Sequence, residues 1–271
     1  MNDTVSRVSA AGACLLGMLA AARAGEGPKP VRALFIGNSH TSYNNLPHMI
    51  AELAKAGGRP LFAYAMETPG GCTFEKHWQD GKAAERIAAG GWDFVVLQEQ
   101  SLMPLTNATS MAVYAEKLDG EIKKQGARTL LYQTWARQNT PERQAELSRV
   151  YLDLGRKLEA AVAPVGMAWE RALKANPNCG LHRPDKNHAS KAGTYLAACV
   201  FYAVIYGVSP EGLPGGIADL DDGEARPLQA IAWQTVQQLA RTQGVKTGQG
   251  SDGENAAAST TGDQKGDEGE Q

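Results

Sequence analysis

Ser39, Asp185 and His188 are the residues of this chain whose types and spacing fit one chemical task together. A serine hydroxyl is a weak nucleophile near neutral pH unless a neutral imidazole takes its proton, and the imidazole needs a carboxylate on its other nitrogen to fix its tautomer. Asp185 and His188, three apart in PDKNHAS, can supply both from one loop. A plainer reading fits the pair alone equally well: an aspartate capping the next turn beside a surface histidine. The chemistry is acyl transfer, whose tetrahedral intermediate also needs donors aimed at its charged oxygen. The backbone N–H of Ser39 is one. In TPGGCT, Gly71 or Gly70 offers a second, because a residue without Cβ lets the backbone approach a ligand closely. In VVLQEQS, Gln98 ends an apolar run with a side-chain amide and offers a third. A tight turn explains the two glycines as well as function does, and a strand-end amide satisfying loop backbone does the same for Gln98.

Short runs that are apolar throughout, residues 31–36, 61–66, 94–97, 129–132 and 162–167, read as parallel strands buried on both faces. Amphipathic stretches at 46–56, 74–89, 109–124, 141–160 and 190–206 read as helices. A last helix has Pro227 in its first turn, Leu228, Ile231, Ala232, Val236 and Leu239 on one face, and Gly244 beyond its end. The alternation predicts an α/β fold, a three-layer α/β/α sandwich around a five-stranded parallel sheet with right-handed crossovers. GNSHT, TPGGCTFEKHW and QEQS follow the first three strands, and PDKNHAS precedes the helix at 190. All four converge on the carboxyl edge of the sheet, where open α/β folds bind ligands.

FIGNSHTSYNNLP, the Gly-Gly pair, the polar strand end and DKNHASKAGTYLAA together resemble the SGNH hydrolases, also called the GDSL esterase and lipase family, over residues 31–206. That resemblance implies a flavodoxin-like fold, with Ser39 as nucleophile, His188 as general base and Asp185 as its orienting partner. The family's third block carries Gly-x-Asn-Asp, whereas this chain has LQEQS. Branches resembling sialate and xylan acetylesterases place a Gln at this strand end, so the resemblance favours Gln98 as third oxyanion donor. Gln100 aligns better by counting and stays the rival. Gly71 is preferred over Gly70 because Thr73 follows it in the family's Gly-x-Thr manner.

Other residues have two readings each. His40, next to Ser39, either lines the acyl pocket, competes as base, or packs the turn; His182 is a further candidate base. His77 with Trp78, and Trp135, form an aromatic platform for a sugar or aryl group, or pack the core. Cys72, Cys179 and Cys199 remain after the first 24 residues, an odd number that cannot all pair within one chain. Cys72 and Cys179 flank site loops and can be joined in an oxidising compartment. The five His have no ligand-like spacing, so neither metal nor cofactor is expected. A net charge of −2 provides no field for a polyanion, which sets nucleic acid aside.

Residues 1–24 read as a secretory leader, with a small-x-small site at Ala22-Arg23-Ala24, and its apolar stretch is short for a bilayer span. A secreted or periplasmic protein without stable membrane insertion is expected. Residues 25–244 form the folded domain. Residues 245–271, rich in Gly and acid with no large apolar side chain, read as a disordered tail. The expectation is a secreted serine esterase acting on short-chain esters of small molecules or carbohydrates. An acyltransferase on the same triad, or a non-catalytic binding module of the same fold, are the alternatives.

Overall fold

A computed structural model describes residues 28–243. The elements in chain order are β1 (Val31–Ile36), α1 (Ser39–Ser42), α2 (Leu46–Ala56), β2 (Phe62–Glu67), α3 (Phe74–Asp80), α4 (Lys82–Ala88) and β3 (Phe94–Leu97). They continue with α5 (Met103–Thr106), α6 (Ala108–Lys124), β4 (Arg128–Tyr132), α7 (Gln144–Leu158), β5 (Ala161–Ala163), α8 (Val165–Ala175), α9 (Lys191–Tyr206) and α10 (Asp222–Thr242). The five strands are all parallel, in the order β2-β1-β3-β4-β5. The chain winds outward in both directions from β1, so the crevice between the carboxyl ends of β1 and β3 is the topological switch point.

Side-chain alternation along β1 explains the two cores. Ala33 and Phe35 point into the layer that includes α2, α8, α9 and α10, while Leu34 and Ile36 point into the layer of α3, α4, α6 and α7. A strand segment covered on both faces must be apolar at every position, which is why ALFI, the buried part of β1 after the exposed Arg32, has no polar alternation. The same holds for α9, buried without a break from Gly193 to Val204 between the sheet, α2 and α10. Among the described residues, no helix is long and apolar enough to cross a membrane.

Three expected elements differ. The run at 162–167 is a strand only to Ala163; Pro164 caps a helix, and Val165, Gly166 and Met167 belong to α8. Proline has no N–H for a sheet ladder, and a buried helix start is as apolar as a buried strand. The stretch 74–89 is two helices broken at Gly81, whose φ of 73° the preceding helix cannot continue through. Pro227 lies inside α10, past its first turn, because the helix starts earlier, at an Asp221–Glu224 capping box. The leader at 1–24, the tail at 245–271 and Gly244 lie outside the described residues.

Candidate active site

β1 ends at Ile36, and the next residues turn sharply. Asn38 is extended (φ −149°, ψ −152°) and its side-chain oxygen accepts from the His40 N–H, capping α1. Ser39 is thereby the first residue of a short helix at the carboxyl edge of the sheet, its hydroxyl turned toward the segment before α9. Ser39 Oγ–H donates to His188 Nε2 over 2.9 Å, and His188 Nδ1–H donates to Asp185 Oδ2 over 2.7 Å. The carboxylate on Nδ1 selects the tautomer that leaves Nε2 free to accept. Asp185 Oδ1 also accepts the backbone N–H groups of Asn187 and His188. The hydrogen bond from His188, followed by those two, holds the Asp185 carboxyl far below the usual carboxylate range. The three residues named from sequence are therefore one hydrogen-bonded chain.

Two supports of this chain were not singled out from sequence. Asn44, at a left-handed φ of 52°, donates its amide to the carbonyls of Ala189 and Ser190 and to Thr194 Oγ1. It ties the turn after Ser39 to the backbone after His188. The Tyr43 ring lies against His188 with centres 4.3 Å apart and planes tilted by 40°, and Arg183 is 5.1 Å from the tyrosine ring centre. The Asn44-Asn45 pair was the available signal, since asparagine is the non-glycine residue best suited to φ > 0.

The donor loops are knit by Asn38. Its Nδ2 donates to the Cys72 carbonyl across the second loop, and its Oδ1 accepts from Gln98 Nε2 of the third. Gly71 stands at φ 66° in the turn closed by the Cys72 N–H to the Pro69 carbonyl, so of the two glycines it is the one the backbone demands. The Ser39 and Gly71 N–H groups donate to no protein acceptor among the described residues.

Gln98 requires a correction. It is fully buried; its Nε2 donates to Asn38 Oδ1 and to the Glu99 carbonyl, and its Oε1 accepts from the Asn38 N–H and Thr41 Oγ1. Both amide hydrogens are committed, so Gln98 has none to offer an oxyanion and instead holds the Ser39 turn. Gly37 is what lets it in: a Cβ there would sit 2.6 Å from Gln98 Oε1. Gln100 is half-buried, and its Oε1 accepts the Leu102 N–H, while its Nε2 donates to no protein group among the described residues. Between them Glu99 is buried, accepting the Phe74 and Gln100 N–H groups and thus clamping the second loop to the third. Burial pushes its carboxyl up to about 7.

The remaining candidates resolve as supports. His40 is buried between Trp135 (5.0 Å) and His188 (5.2 Å), its Nε2 without a partner. Burial, then the neighbouring His188 and Arg137, push its pKa down to about 3, so it stays a neutral ring. His77 is buried and donates to the Gly37 carbonyl, Trp78 lies under Lys117, and Trp135 is buried with Nε1 donating to the Asn187 carbonyl. None of the three is an exposed platform. His182 donates to the Ala136 carbonyl. Cys72, Cys179 and Cys199 are free thiols, so the bridge considered between Cys72 and Cys179 is not formed.

No family model and no curated protein matches the chain. Solved structures do match. A protein from Slackia heliotrinireducens, assigned provisionally to the SGNH hydrolases, is 26% identical with a TM-score of 0.55, covering 65% of this chain and 100% of its own. A DUF4886 family protein from Bacteroides uniformis ATCC 8492 is 18% identical with a TM-score of 0.65, covering 77% of this chain and 95% of its own. An acetyl xylan esterase is 16% identical with a TM-score of 0.55, covering 65% and 100%. The last two share the fold, and the first adds sequence to it. With its 2-1-3-4-5 parallel sheet and its serine at the switch point, the chain has the fold of the SGNH hydrolases, and its likeness to the Slackia heliotrinireducens protein extends to sequence.

Proposed function

We propose that the chain is an extracytoplasmic serine esterase that cleaves short-chain carboxylic esters of small molecules or carbohydrates through an acyl-enzyme. The observation that carries this is the unbroken relay from Ser39 Oγ to His188 Nε2 and from His188 Nδ1 to Asp185. His188 takes the Ser39 proton as the oxygen attacks the ester carbonyl, and Asp185 holds the imidazole and stabilises the imidazolium. The proton then passes to the leaving alkoxide. Water, deprotonated by the same His188, releases the acid and restores Ser39.

The oxyanion is held by the backbone N–H groups of Ser39 and Gly71, which are without protein acceptors, and by the uncommitted amide of Gln100. The acetyl xylan esterase among the fold's relatives supports small acyl groups on sugars as the substrate class. Residues 1–24 would carry the protein out of the cytoplasm. The test is hydrolysis of p-nitrophenyl acetate and acetylated sugars by the purified protein, with Ser39→Ala as control. Turnover lost in that variant supports the reading, and turnover unaffected by it refutes it.

A further inference from the structure

A cavity of about 380 Å³ lies one aromatic layer away from the triad, with Ala136, Arg137, Pro141, Trp169, Leu173 and His182 among its walls. Its position follows from the rings: His188 faces His40, His40 faces Trp135, and Trp135 stacks on Trp169 at 3.9 Å and 5° between planes. His182 begins the loop that ends in His188, closed by a bridge between His182 and Ala189. The volume suits about one sugar ring or a group of similar size.

Arg137 is the unexplained group in this wall. It is half-buried, its Nε is sealed from solvent without an acceptor, and among the described residues its side chain makes no hydrogen bond or ion pair. A guanidinium cannot shed its charge, and leaving it partly desolvated and unpaired is unfavourable. Its planar fork matches a carboxylate in two parallel bonds. The acids nearby do not fill that role. Glu170 pairs with Lys174 at 2.8 Å, Asp185 is engaged by His188, and Glu142 is exposed and unpaired with Arg137. Pro141, Leu173 and Trp169 give the same cavity apolar walls, and an ion pair is stronger in apolar surroundings than in water.

We infer that this cavity is a subsite for a carboxylate carried by the ester substrate, and that Arg137 is the residue that selects it. The inference rests on the esterase reading above and narrows its substrate class to acidic esters. The carboxylate can belong to the alcohol side, as in an acylated uronic acid, or to the acyl side, as in the half-ester of a dicarboxylic acid.

Two substrate pairs distinguish these sources: acetylated glucuronate against its methyl ester, and 4-nitrophenyl hemiglutarate against 4-nitrophenyl pentanoate. The wild-type protein should favour the acid by about ten-fold or more in kcat/KM in one pair, mostly through KM, as expected for a charge-assisted bidentate contact. Arg137→Gln should bring that ratio to within about two-fold of unity, and Arg137→Lys should restore part of it. No acid preference in either pair, or a preference that survives Arg137→Gln, overturns the inference. Titrations with glucuronate and with glutarate need no turnover, so they test the subsite separately. One of the two must bind wild-type protein about ten-fold or more tighter than Arg137→Gln. Unlabelled Ser39 with a fluorophosphonate would sink the esterase reading, whereas labelled Ser39 without acid preference would sink only this one.

Discussion

The Asn44 side chain donates to the Ala189 and Ser190 carbonyls at 3.1 Å each and to Thr194 Oγ1 at 2.8 Å, fastening the turn that carries Ser39 to the backbone that carries His188. Residues nearly 150 apart in sequence are thus registered by one amide. That staple helps to set the distance between Ser39 and His188.

Asn44→Ala should therefore lower kcat about ten-fold or more while KM changes little, since misplacing a triad by a fraction of an ångström weakens the transition state first. The variant keeps a Cβ at positive φ while losing the side-chain bonds that compensate for it, and should lose about 1–3 kcal/mol of stability. Asn44→Gly relieves the backbone term but not the lost amide. Activity that stays low in Asn44→Gly while thermal stability recovers in part would identify positioning as the cause.

Ser39→Ala and His188→Ala should each remove activity by about 10³-fold or more, without additivity in the double variant. Asp185→Asn should cost no more than His188→Ala, because it misorients the imidazole without deleting it. His40 cannot replace the base: burial holds it neutral with a pKa of about 3, and its ring faces His188 and Trp135 instead of a carboxylate. His40→Asn should keep activity within about ten-fold of wild type, and initial-rate measurements on the panel check the ranking.

The two glutamines should separate by stability. Gln98→Ala strands the Asn38 N–H, Thr41 Oγ1 and the Glu99 carbonyl inside the protein and should cost about 2–4 kcal/mol of stability along with activity. Gln100→Ala should leave the melting temperature nearly unchanged and lower kcat by about 10²-fold, the cost of one oxyanion donor. Full activity in Gln100→Ala would leave the Ser39 and Gly71 N–H groups as the whole oxyanion hole.

Glu99 makes stability depend on pH. Its folded pKa of about 7 lies above its ordinary value of 4.5 because burial disfavours the carboxylate. The folded state therefore holds a proton that the unfolded chain releases. Stability from this group is present below pH 4.5, declines as pH rises toward 7, and is level above that. The change is on the order of 3 kcal/mol. Glu99→Gln should flatten the fall in melting temperature across that window, and an unchanged pH profile in the variant would contradict the assignment.

The chain's large features are legible because they are repetitive physics. Parallel strands buried on both faces must be apolar at every position, as in FVVL, and helix α2 occupies the residues its amphipathic pattern marks, Leu46–Ala56. The grouping of Ser39, Asp185 and His188 is legible because proton transfer restricts which residue types can serve, and the fold does bring the three into one hydrogen-bonded chain. Less visible is what each amide does. Gln98 and Gln100 are two letters apart and identical in type, and only the fold decides that one is sealed beneath Asn38 while the other is half open. Likewise, Pro164 could close a strand or open a helix, and the apolar run VAPVGM looks the same either way.

Activation of Ser39 as a nucleophile can be measured directly. Intact-mass measurement after incubation with a fluorophosphonate, followed by peptide mapping, should show one adduct per chain, located on Ser39. It should be absent in Ser39→Ala and strongly slowed in His188→Ala. A protein that stays unlabelled under conditions that label a control serine hydrolase, or is labelled equally well without His188, would mean that the relay from Ser39 through His188 to Asp185 performs no acyl transfer.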